Sequence, residues 1–89
     1  MIYLITYELN NKGRDYTGLY DSIKSFGTWW HYIDSTWLID TDSSVQQVND
    51  KIHPHIDEAL DNLLVVEISK DAARQGWLPK KAWEWIRNR

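Results

Sequence analysis

Glu8, Asp34, Asp40 and Asp42 are the first residues in this chain whose type and placement could support chemistry. Each falls at the end of a candidate strand or in a turn beside one. Hard cations such as Mg²⁺ take oxygen ligands and often use only one or two protein carboxylates, with water and phosphate completing the shell. A carboxylate at a strand end suits that role, although most such acids are simply solvated. Glu8, just ahead of the turn Asn10–Gly13, is the candidate metal ligand and Mg²⁺ the candidate ion. His31, His53 and His55 form a second set. His53 and His55 flank Pro54 and lack the i, i+4 spacing of a helical zinc pair. His31 is expected in a strand, with Trp29 and Ile33 on its face, as a hydrogen-bonded and partly buried imidazole.

The third set is aromatic. The stretch GTWWHYIDSTWLID, residues 27–40, contains Trp29, Trp30 and Trp37 together with a tyrosine and a histidine. Trp30 and Tyr32 alternate onto one face of a strand, as do Trp37 and Ile39 in the next. Rings on an open sheet can stack on bases, or they can form a subunit contact, where Trp and Tyr are enriched. The third strand reads STWLIDT and lacks the basic residue of an RNA-recognition consensus. Core and subunit interface is therefore the favoured reading, with Trp30, Tyr32 and Trp37 as interface residues. If a nucleic acid binds, Arg14, Ser35, Lys80 and Lys81 are the candidate contacts. Arg74, Lys80, Lys81, Arg87 and Arg89 cluster near the end of the chain, where a solvated helix with cations at its negative end accounts for them. There is no glycine-rich phosphate loop and no serine in a recognisable nucleophile setting. Nothing therefore points to acyl transfer, P-loop hydrolysis or hydride transfer.

These residues must be positioned by one small domain. The chain has 89 residues, a formal net charge of −3 and no cysteine. A domain of this size buries only about 60–65% of the surface its unfolded chain exposes, so each buried ring matters. A net negative charge is a poor basis for non-specific nucleic-acid binding. No run approaches the roughly 20 apolar residues of a membrane span, and MIYLITYEL has no basic leader. The expectation is a soluble cytoplasmic protein without a membrane partner.

The hydrophobic pattern supplies the elements. Ile2–Leu9 reads as a strand with two largely apolar faces. Asp15 is a candidate N-cap for a helix to Phe26, with a stripe of Tyr16, Leu19, Tyr20, Ile23 and Phe26, closed by Gly27. Thr28–Ile33 and Thr36–Thr41 read as a hairpin around Asp34-Ser35, or as one longer bent strand. Ser43 or Ser44 caps a second helix with stripe Val45, Val48, Ile52 and Ile56, which Pro54 ends or kinks near His53. Asp57–Asn62 reads as a polar linker and Leu63–Ile68 as a buried strand. After Gly76, Pro79 suits the first turn of a last helix, Lys80 to about Asn88, docked by Trp83, Ile86 and Trp77. The order βαββαβ predicts an α+β, ferredoxin-like fold: a four-stranded antiparallel sheet with two helices on one face plus a C-terminal helical tail. The core spans 1–69, and the tail 70–89 belongs to the same domain.

Three stretches carry a family resemblance over nearly the whole chain: YELN at Tyr7–Asn10, WWHYIDSTW at Trp29–Trp37 and GWLP at Gly76–Pro79. The chain resembles the SinR-like proteins, whose patterns are Y-[DE]-L-N, W-W-H-Y-x-D-S-T-W and G-W-L-P. More distantly, it is similar to the smallest CRISPR-associated adaptation family, the dimers that hold together the spacer integrase, and to VapD-like toxin ribonucleases. The resemblance implies a ferredoxin-like homodimer that binds nucleic acid or a protein partner in defence or mobile-element biology. It also implies an alternative, a Mg²⁺-dependent endonuclease acting on DNA or RNA. There the strand-end acid of each subunit, Glu8 in this chain, brackets the metal at the dimer axis and is the catalytic residue. The adaptation family carries Asp at this position, one methylene shorter than Glu8. A purely structural interaction module is the third reading.

Overall fold

The computed structural model describes all 89 residues. The elements run β1 (Ile2–Glu8), α1 (Thr17–Lys24), β2 (Thr28–Ile33), β3 (Thr36–Asp40), α2 (Val45–Ile52), a 3₁₀ turn (His53–His55), β4 (Asn62–Ile68) and α3 (Lys80–Arg87). The strands form one sheet in the order β2-β3-β1-β4. All three pairings are antiparallel. β1 is therefore central, as its two apolar faces require, and β2 and β4 are the edges.

Alternation along the strands divides the core in two. On one face Tyr3, Ile5 and Tyr7 of β1 and Trp37 and Ile39 of β3 pack with Leu19 and Ile23 of α1, Val48 and Ile52 of α2, and Ile56. On the other face Trp30 and Leu38 pack with Ala82 of α3, supported by Leu4, Ile68, Leu78, Trp85 and Ile86. The larger cluster is the principal core. Burying one indole such as Trp37, which is 1% exposed, removes roughly 150–250 Å² from water. The Trp37 ring also needs a partner for its N–H, and Nε1 donates to the Tyr7 hydroxyl at 2.9 Å. That hydroxyl in turn donates to the Asp34 carbonyl at 3.2 Å.

The local signals act as their chemistry dictates. Ser44 closes a capping box on α2: its Oγ accepts the Gln47 N–H at 3.1 Å, and the Gln47 side chain accepts the Ser44 N–H at 2.8 Å. Pro54 sits in the 3₁₀ turn that ends α2. Gly27 has φ +117°, a conformation L side chains rarely adopt, and it turns the chain from α1 into β2. The β2–β3 connection is the two-residue turn Asp34-Ser35. No residue other than a glycine has positive φ, so this turn lacks the primed geometry that matches strand twist. The register of β2 against β3 accordingly shifts between Trp30 and Ile33.

Four expectations need correction. α1 begins at Thr17 and ends at Lys24; Asp15 instead closes an Asx turn, its carboxylate accepting the Thr17 N–H at 2.9 Å and hydroxyl at 2.6 Å. β3 ends at Asp40. The run Leu63–Ile68 is an edge strand rather than a buried one: Leu63 and Val65 pack on the core while Leu64 and Val66 are 56% and 39% exposed. Trp77 does not dock the tail, being 99% exposed. Ala82, Leu78, Trp85 and Ile86 do so, helped by the Trp30 Nε1 bond to the Ala82 carbonyl at 3.2 Å.

Candidate functional site

The four acids divide between opposite ends of the sheet. Glu8 lies level with Asn62 where β1 finishes and β4 begins. The hairpin turn reaches the same end, since the Tyr7 N–H bonds the Ser35 carbonyl at 3.1 Å. Asp40 pairs with Ile2 at the far end, where its carboxylate meets the Met1 ammonium at 3.5 Å and Arg89 Nε at 3.4 Å. Asp42 follows it in the chain and is exposed. No three His, Asp or Glu side chains converge to hold a metal within one chain.

Glu8 itself is exposed and oriented. Its Oε1 accepts from the amides of Asn10 at 3.2 Å and Asn62 at 3.1 Å. It borders a shallow groove of about 320 Å³ lined by Thr6, Tyr7, Glu8, Asn62, Leu63 and Leu64. The groove is half apolar, with Leu64 as its exposed wall. It suits contact with a side chain better than enclosure of a small substrate.

The same end contains a carboxylate that the sequence pattern does not flag. Asp61 is buried. Its Oδ1 accepts the Asn10 N–H at 2.7 Å, and its Oδ2 accepts the Tyr16 hydroxyl at 2.6 Å and the Asp57 N–H at 2.8 Å. Asp57 adds a bond from the Asn11 amide at 2.8 Å. The stretch read as a polar linker is thus a hydrogen-bonded brace that fixes the β1–α1 loop against the approach to β4. Burial alone raises the Asp61 pKa, but the Asn10 amide, the Tyr16 hydroxyl and the Asp57 amide, with Arg14 nearby, outweigh it and hold the carboxyl below its ordinary range. For Tyr16 burial and the bond to Asp61 both raise the phenol. These groups are engaged with one another, so their role is to position Asn10 and, through it, Glu8.

The aromatic residues do not form one surface. Trp30 and Trp37 are buried inside the chain on opposite faces of the sheet, and of the three interface candidates only Tyr32 is exposed, at 45%. His31 stacks on Trp37 with ring centroids 3.7 Å apart and planes 13° from parallel. Its Nε2 lies 3.0 Å from the Asp34 carbonyl, an acceptor, so Nε2 carries the proton and Nδ1 is the free position. Tyr20, Lys24, His31, Asp34 and Trp37 line an open cleft of about 360 Å³. His53 faces Glu58, Nε2 to Oε1 at 3.2 Å, and His55 packs on Gly18 of α1.

The nucleic-acid candidates are scattered. Arg14 lies over the Tyr16 ring at 5.8 Å. Ser35 is in the hairpin turn, and Lys80 and Lys81 are exposed in the first turn of α3, which packs on the opposite face from α1 and α2. They do not form a single basic surface on one chain. No family model matches this chain, and a search of curated proteins finds no significant relative.

Proposed function

We propose that this chain is a ferredoxin-like, homodimeric binding module that acts through protein contacts in the cytoplasm, in the defence or mobile-element setting its resemblance implies. The fold reading is supported by the strand order β2-β3-β1-β4, with α1 and α2 packed on one face. The observation that carries the functional reading is the exposure of Leu64 and Val66, 56% and 39%, on an edge strand. Exposed aliphatic side chains beside unpaired backbone groups favour another strand or subunit as the ligand. Light scattering across a concentration series tests the reading. A dimer in the micromolar range is the expected result, and a monomer at hundreds of micromolar contradicts it.

The orientation of Glu8 by two amides, with Oε2 left without a hydrogen-bond partner, favours a second reading as a Mg²⁺-dependent endonuclease. One carboxylate per chain suffices only if a partner's Glu8 completes the site. This reading expects cleavage of DNA or RNA in Mg²⁺ or Mn²⁺ that Glu8→Ala abolishes. Activity surviving that change, or no cleavage across several substrates, rejects it.

A further inference from the structure

The two sheet edges are unequal. β2 carries the register shift between Trp30 and Ile33, and bulged edges resist pairing. β4 pairs regularly with β1 over all seven residues, contains no proline, and has Glu67 as its only charge. Glu67 apart, it has none of the usual devices that block strand addition: no proline, no bulge and no lysine. We infer that β4 pairs antiparallel with β4 of a second copy about a two-fold axis at Val66, continuing the sheet across both chains. This deepens the homodimer reading above and rests on it.

The sequence of β4 selects the register. With the axis at Val66, each Leu64 stands opposite Ile68 of the partner subunit, and the two Val66 side chains face each other. All lie on the face that bears Leu64 and Val66, so the exposed aliphatic residues of both copies merge into one apolar strip. Lys70 lies outside this ladder, in the turn that the Ala72 N–H closes onto the Ser69 carbonyl at 3.0 Å. The electrostatic cost is one diagonal pair of solvent-exposed Glu67 side chains. Centring the pair on Val65 instead sets Ile68 opposite Asn62 of the partner subunit and leaves fewer aliphatic side chains facing each other on that face.

The arrangement also separates the two Glu8 carboxylates by roughly 27 Å along the strands, from about 3.4 Å per residue. It is therefore a different dimer from one with paired Glu8 at its axis.

The chain contains no cysteine, so a single introduced thiol reports the register. Directly opposed residues have Cα atoms about 4.5–5.5 Å apart, within disulfide range. Under mild oxidation Val66→Cys is expected to convert most of the protein to a covalent dimer. Leu64→Cys, roughly 14 Å from its own copy in this register, is expected to stay largely uncoupled. Val66→Lys, at a position already 39% exposed, is expected to give a folded monomer by circular dichroism and light scattering. A wild-type dimer that persists in Val66→Lys, or that crosslinks better through Val65→Cys, overturns this interface and leaves the homodimer reading standing. A wild-type monomer overturns both.

Discussion

At the scale of single residues, Asp61 governs the end of the sheet that presents Glu8. Its carboxylate takes three hydrogen bonds from two loops, and its pKa lies below the usual carboxylate value. A group held low in the folded state stabilises the fold above its unfolded pKa, about 3.9 for Asp, and loses that contribution as pH falls through the folded value. Asp61→Asn is therefore expected to melt below the wild type at pH 7, with the gap closing as pH drops below about 4. A gap that stays constant from pH 7 to pH 3 in thermal melts refutes this account. Asp15, also held low by Thr17, remains in the variant and retains part of the acid sensitivity. This brace was not legible in the sequence. Asn10, Tyr16, Asp57 and Asp61 are dispersed over 52 positions, and only the pairing of β1 with β4 brings them together.

At the scale of elements, most of the layout was legible because each stripe had one solution. The α1 and α2 stripes, the Ser44 cap, Pro54 and Gly27 all act locally. β4 misled because Leu63–Ile68 is apolar at nearly every position, so alternation could not show which side was covered. Trp77 misled because a large ring in a tail suggests docking, whereas α3 docks through the small Ala82, which lets the helix approach Trp30 closely. Close approach also explains Gly18. A Cβ there would stand 2.7 Å from His55 Nδ1. Gly18→Ala gains roughly 1 kcal/mol in helix propensity, yet the clash between α1 and the 3₁₀ turn is of the overpacking kind that costs about 1–3 kcal/mol. Chemical denaturation is expected to show a net loss, and a more stable variant means that His55 yields freely.

At the scale of the whole molecule, the body measures 36 × 27 × 20 Å with a radius of gyration of 13.2 Å, slightly above the roughly 12 Å expected for 89 residues. It is a slab with one well-covered face and one face covered by a single short helix. Stability should grade accordingly. Native-state hydrogen exchange is expected to be slowest in β1, paired on both sides, and fastest through 69–79 and α3. Slower exchange in α3 than in β1 contradicts that order.

The register shift in β2 bears on assembly size. A sheet that can add strands at both edges has no reason to stop, and identical subunits would join end to end into a fibre. Here one edge is regular and the other carries the register shift between Trp30 and Ile33. Pairing through the regular edge consumes it in both copies and leaves only irregular edges outside. In the β4-paired dimer proposed above, the imperfect hairpin would thus act as a terminator and keep the assembly finite.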